Sequence, residues 1–171
     1  KANFSRYVID PNRDPQGTNL YPGQNSTGLV PFSTFDGEPI WQTKPTTDDI
    51  QQRLKTYHGE YHQLLSAEIA RVKGMHGVAV VYDCHSIRSK IPYLFDNLLP
   101  DLNIGDNSGK SCGNEITFGI EKVCQSIKTH THVVNGRFRG GWTTRHSGNP
   151  QEGVHAVQME LAQRAYLKSE S

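Results

Sequence analysis

Gly77-Val78-Ala79-Val80-Val81-Tyr82-Asp83-Cys84-His85-Ser86 is the stretch on which the fold turns. Gly77 to Tyr82 is solidly apolar and β-branched, the pattern of a central strand buried on both faces. Asp83 to Ser86 then places an acid, a thiol, an imidazole and a hydroxyl just beyond that strand, where open α/β sheets bind their ligands. Upstream, Thr46-Thr47-Asp48-Asp49 supplies an N-cap and an acidic first turn. Ile50, Leu54, Tyr57, Tyr61, Leu64, Leu65, Ile69 and Val72 keep helical spacing, and Gly74 stands where a C′ glycine belongs. Downstream, Leu102–Ile104 reads as a short strand, and Ile116 to Ile127 as an amphipathic helix. After Val133-Val134 come Val154–Met159 as a strand and Leu161–Leu167 as a helix. At the start, Phe4 to Ile9 reads as a strand ended by Asp10-Pro11-Asn12. Residues 10–45 form a long loop with aromatic anchors, a length that points to function. Strands alternating with helices predict one α/β domain, its sheet flanked by helices.

Composition narrows the field. The 171 residues carry 18 Lys+Arg against 17 Asp+Glu, so no basic excess exists to drive nucleic-acid binding. No apolar run approaches a membrane span. Cys84, Cys112 and Cys124 are odd in number and form no C-x-x-C, which implies neither a disulfide framework nor a zinc ribbon. These features predict a soluble, cytoplasmic protein. The chain opens Lys1-Ala2-Asn3 and closes Lys168-Ser-Glu-Ser without evident start or stop signals, so the expectation is a single domain over 1–171, incomplete at both ends.

Three features could carry chemistry. His85 could ligate a metal or act as a base with Asp83 orienting it; a histidine that merely caps a strand end is the plain alternative. Arg6, Arg13, Arg88, Arg137, Arg139 and Arg145 lie in or beside turns, and guanidinium forks bind carboxylates bidentately. Any one of them alone is ordinary surface charge. Glu160 closes the run from Val154 and could serve as a general base, the bland alternative being an exposed helical acid. Two histidine pairs are weaker signals. His58 and His62, at i and i+4, resemble a zinc helix with the Glu displaced and a Gly inserted, and read as boundary residues. His130 and His132 read as a solvated pair. The cysteines read as small packed hydrophobes.

Read together, several stretches resemble the N-formylglutamate amidohydrolases. They include Ser5-Arg6-Tyr7-Val8-Ile9-Asp10-Pro11-Asn12-Arg13, Leu20-Tyr21-Pro22-Gly23-Gln24 and Thr34-Phe35-Asp36-Gly37-Glu38-Pro39. Further on come Asp83-Cys84-His85-Ser86-Ile87-Arg88-Ser89, Asn135-Gly136-Arg137-Phe138, Thr144-Arg145-His146 and Gly153-Val154-His155-Ala156-Val157-Gln158-Met159-Glu160-Leu161-Ala162-Gln163-Arg164. The resemblance runs in order along essentially the whole chain.

It implies a mixed, mainly parallel sheet flanked by helices, similar to the zinc carboxypeptidases and aspartoacylases. It also implies metal-dependent hydrolysis of N-formyl-L-glutamate to formate and glutamate in histidine degradation. By the same resemblance, His85 is a ligand of a divalent metal, expected to be zinc. Glu160 is the carboxylate that handles the proton of water and leaving amine, and Arg6 stabilises the oxyanion. Asn12 and Arg13 hold one substrate carboxylate, with Arg88, Arg137 and Arg145 as candidates for the other. The partner would then be a small dianionic substrate, with no nucleic acid and no membrane.

The sequence departs from the family in lacking its Pro-His-(Ser/Thr/Ala)-Gly metal motif. A catalytic zinc usually takes three protein ligands, so this polypeptide alone is expected to be inactive. A related N-acyl amino acid acylase, a carboxypeptidase-like hydrolase and a non-catalytic binder of acidic ligands are the competing readings.

Overall fold

A computed structural model describes residues 3–170. Four strands form one mixed sheet: β1 (Ala79–Ile87), β2 (Leu102–Gly105), β3 (His132–Val134) and β4 (Val154–Ala162). Their order is β1-β4-β2-β3, with β1/β4 and β2/β3 parallel and β2/β4 antiparallel. The helices are α1 (Thr47–Arg53), α2 (Glu60–His76), α3 (Asn114–Ser126) and α4 (Trp142–Ser147). A π-helical turn, Leu54–Gly59, joins α1 to α2. This is the mixed α/β class the sequence predicts. Among the described residues no helix is long and apolar enough to cross a membrane.

Side chains alternate across a strand, so the sheet has two unlike faces. One carries Leu102, Ile104, Val157 and Met159, which pack with Cys112, Cys124, Ile116 and Ile120 of the α3 layer. The other carries the polar residues Asp83 and His85 of β1 and Gln158 and Glu160 of β4. Loops, α2 and α4 lie against this second face.

Several elements differ from the sequence reading, each for a physical reason. Among the described residues β1 is an edge strand rather than a central one, and Val80 and Tyr82 stand 49% and 47% exposed. It also runs on through His85 to Ile87, so the Asp83–Ser86 segment lies inside the strand rather than beyond it. Residues 4–9 form turns instead of a strand. Val8 N–H donates to Ser5 O, and Asp10 draws the segment together by pairing with Arg6 and Arg13. The first helix begins with the predicted cap, a reciprocal Thr46/Asp49 box. The helical run continues through the π turn into α2 and ends at Gly77 rather than Gly74, because Gly77 takes the left-handed conformation that closes a helix. Where a helix was expected from Leu161, β4 continues to Ala162 on the register of its neighbours and gives way to a single 3-10 turn, Gln163–Ala165. Cys112 and Cys124 are buried as expected, whereas Cys84 is exposed on the free edge.

Candidate active site

The parallel register of β1 and β4 builds the site. Asp83 pairs with Gln158 and His85 with Glu160, so four polar side chains two residues apart share one face of adjacent strands. Above them lies a cavity of about 650 Å³. It is lined by Arg6, Asn12, Arg13, Arg88, Arg137, His85 and Glu160, together with Asp10, Asp83, Tyr21 and Gln163. Seven of the eight residues to which the resemblance gives a role therefore meet in one cavity. Arg145 does not line it. Its guanidinium lies over the Tyr21 ring, and its Nε donates to Gly140 O.

The loop 10–13 forms the wall facing the strands. Asn12 Nδ2 lies 3.2 Å from His85 Nε2, while its Oδ1 accepts from Thr143 N–H at 2.8 Å. Gly141 makes this approach feasible. A Cβ there would fall 2.4 Å from Asn12 Oδ1, so a larger residue would displace the Asn12 amide from this place. Arg13 is half-buried and bonded to Thr27 O, Thr27 Oγ1 and Asn12 O at 2.8–2.9 Å. Burial lowers its pKa, with Asp10 opposing. Arg6 is tied to Asp10, and Arg88 donates to Asp36 at 2.8 Å. Arg137 is different. Its Nε and Nη2 donate to the carbonyls of Leu94 and Asn25, while Nη1 is buried without a hydrogen-bond partner.

Glu160 is 6% exposed, and burial pushes its pKa up to about 7 against the pull of His85 and Arg6. Its Oε2 accepts from Gln158 Nε2 at 3.1 Å, and Gln158 Oε1 accepts from Gly141 N–H at 2.8 Å. Burial lowers the His85 pKa, but the adjacent Asp83 outweighs it, and the net shift is upward. Gln158 was missed as a site residue. The cue was its place two residues before Glu160 in a strand-like run, which puts both on one face.

The donor set bears on a metal. His85 Nε2 has Asp83 Oδ2 at 2.9 Å on one side and the Asn12 amide on the other. Asp83 Oδ2 is itself buried and makes no aligned hydrogen bond. Such an arrangement suits a shared cation, but it offers only an imidazole and a carboxylate. Among the described residues no group of three or more His, Cys, Asp or Glu side chains could hold a metal ion. The described residues thus do not fit a three-ligand catalytic centre.

The other histidine pairs have different surroundings from those expected. His58 and His62 are buried rather than at a boundary, at 4% and 9% exposure. His130 and His132 are half-buried and turn apart, His130 toward Ala165 O and His132 toward Glu121.

The mixed α/β sheet thus sets a buried carboxyl with a raised pKa beside an imidazole, in a cavity lined by arginines. The chain belongs to the N-formylglutamate amidohydrolase family, whose model matches residues 1–167. It is 42% identical over 172 residues to the N-formylglutamate deformylase of Pseudomonas aeruginosa, covering 99% of this chain and 64% of that protein. With the N-formylglutamate deformylase of Pseudomonas putida it shares 42% identity over 169 residues, 98% of this chain and 63% of that one. The crystal structure of an N-formylglutamate amidohydrolase from Ralstonia eutropha JMP134 superposes with a TM-score of 0.77 at 26% identity, covering 98% of this chain and 65% of that one. The chain thus spans a little under two thirds of the length of these relatives.

Proposed function

We propose that the protein hydrolyses the formyl amide of N-formyl-L-glutamate, releasing formate and glutamate as a step of histidine degradation in the cytoplasm. The observation that carries this reading is the single cavity in which Glu160 and four guanidinium groups meet. A substrate with two carboxylates needs two cationic forks, and the scissile carbonyl needs a donor where its oxygen becomes negative.

In this reading Asn12 and Arg13 receive one carboxylate, and Arg137, with Arg88 beside it, receives the other. The buried, unpartnered Nη1 of Arg137 is a donor that a carboxylate oxygen would satisfy. Arg145 acts at one remove, as a cation over the Tyr21 ring. Arg6 has its guanidinium at the cavity wall and supplies charge to the oxyanion. Glu160, ionised, takes a proton from the attacking water and returns it to the leaving amine. A carboxyl with a pKa near 7 can do both at neutral pH.

The divalent metal that the family resemblance implies, zinc by expectation, would use His85. Because the described residues do not complete its ligand set, no step above is routed through it.

The test uses the protein at its full natural length, with N-formylglutamate, N-formylaspartate and N-acetylglutamate as substrates. Preference for N-formylglutamate supports the proposal. Preference for the acetyl compound would favour a related acylase, and binding without turnover would favour a non-catalytic module.

A further inference from the structure

His58 and His62 do not line the cavity, yet both are buried polar residues. They sit on the same side of the helical rod, His58 in the π-helical turn and His62 in the first turns of α2, with ring centroids 4.6 Å apart. Each Nε2 meets a backbone carbonyl: His58 that of Arg13 at 2.9 Å, His62 that of Pro11 at 2.7 Å. A carbonyl only accepts, so both rings must carry their proton on Nε2. The carbonyl between them, that of Asn12, accepts from Arg13 Nη1 and from Trp142 N–H. Three successive carbonyls of a segment that belongs to no strand are therefore all held from outside it. Burial lowers the His62 pKa, which keeps the ring neutral at neutral pH. His62 in turn rests its edge on His146, which stacks on Trp142.

We propose that His58 and His62 are positioning residues that clamp the carbonyls on either side of Asn12 and so hold the Asn12–Arg13 pair in its substrate-binding geometry. This rests on the reading of Asn12 and Arg13 as the carboxylate site. An apolar pair would fill the same volume without desolvating two imidazoles, and only the imidazoles give these carbonyls their donors. The spacing of two histidines that looks like a zinc helix thus serves to hold backbone. The expected loss is about tenfold per clamp, the factor that one hydrogen bond of ordinary strength carries.

The experiment compares H58L and H62L with H58Q and H62Q in the full-length protein, since a Gln amide can reach the place of Nε2. Steady-state kinetics on N-formylglutamate, thermal melting, and ¹⁵N NMR of the wild-type imidazoles are the readouts. The Leu variants should raise KM about tenfold with kcat within about threefold. The Gln variants should recover most of the KM, and both wild-type rings should be Nε2–H tautomers. Folded Leu variants with wild-type KM overturn the clamp, as does an Nδ1–H tautomer at either ring. A loss equal in Leu and Gln variants that follows melting temperature alone overturns it too. Should the Leu variants fail to fold, the tautomers and the Gln kinetics decide. R13M separates the two layers: unchanged KM in R13M overturns the carboxylate site and the clamp together. A raised KM in R13M beside a wild-type KM in H62L overturns the clamp alone.

Discussion

Replacing Glu160 by Gln removes a charge that the fold is built to disfavour, so the substitution should stabilise the protein while abolishing turnover. The carboxyl titrates at about 7 in the folded chain against an ordinary 4.5. At about 1.4 kcal/mol per pH unit, that gap is roughly 3 kcal/mol. The sign follows from proton counting. Between pH 4.5 and 7 the folded state still holds a proton that the unfolded state has released, so wild-type stability falls as pH rises through this window. Below 4.5 both states are protonated and no penalty exists; above 7 it is present in full. Gln, a neutral isostere, pays it at no pH. Urea unfolding with a chelator present should show E160Q matching wild type at about pH 4 and exceeding it by roughly 3 kcal/mol at pH 8. In the same protein, kcat/KM of the wild type should rise through an apparent pKa near 7, as ionised Glu160 becomes available, and E160Q should bind substrate without converting it. An E160Q protein less stable than wild type at pH 8, or a stability gap that ignores pH, would refute the reasoning.

Other outcomes follow from single contacts. R137M should raise KM for N-formylglutamate on the order of tenfold or more, because the unpaired Nη1 is lost; R145M should change it far less, which parallel kinetics would show. G141A should push Asn12 away from His85 and lower kcat/KM on the order of 100-fold, a displacement checked by the loss of substrate binding in calorimetry. T46A removes the capping box of α1, far from the cavity, and should cost about 1 kcal/mol in urea unfolding with kinetics unchanged.

The parts of this molecule that could be read from the sequence are those with local causes. Thr46 and Asp49 specify a helix start by themselves, and the 3.6-residue spacing from Ile50 carries the helix onward. The alternation that places Gln158 and Glu160 on one face is local as well. What could not be read depends on neighbours. The apolar run Ala79–Tyr82 would suit either a central or an edge strand, and only sheet order separates the two. Arg6–Ile9 has strand propensity, but the buried Asp10 bends the chain into turns by pairing with Arg6 and Arg13, and tertiary charge overrides the local preference. Arg145 looked like its fellow arginines because no sequence pattern shows that its guanidinium would settle over the Tyr21 ring with Nε on Gly140 O, outside the cavity lining. His58 and His62 lie beside an apolar stripe, and nothing local shows that a loop some 50 residues earlier would bury them.

The alignment of β1 with β4 carries a consequence for sequence length. Because His85 and Glu160 meet only through strand pairing, their partnership is a counting relation as much as a chemical one. Deleting or inserting one residue between Ala79 and His85 would rotate the imidazole to the α3 side and bring Cys84 or Ser86 round in its place. Point substitutions at the exposed positions Val80, Tyr82 and Cys84 can drift with modest effect, whereas single-residue indels in this strand strike at the site itself.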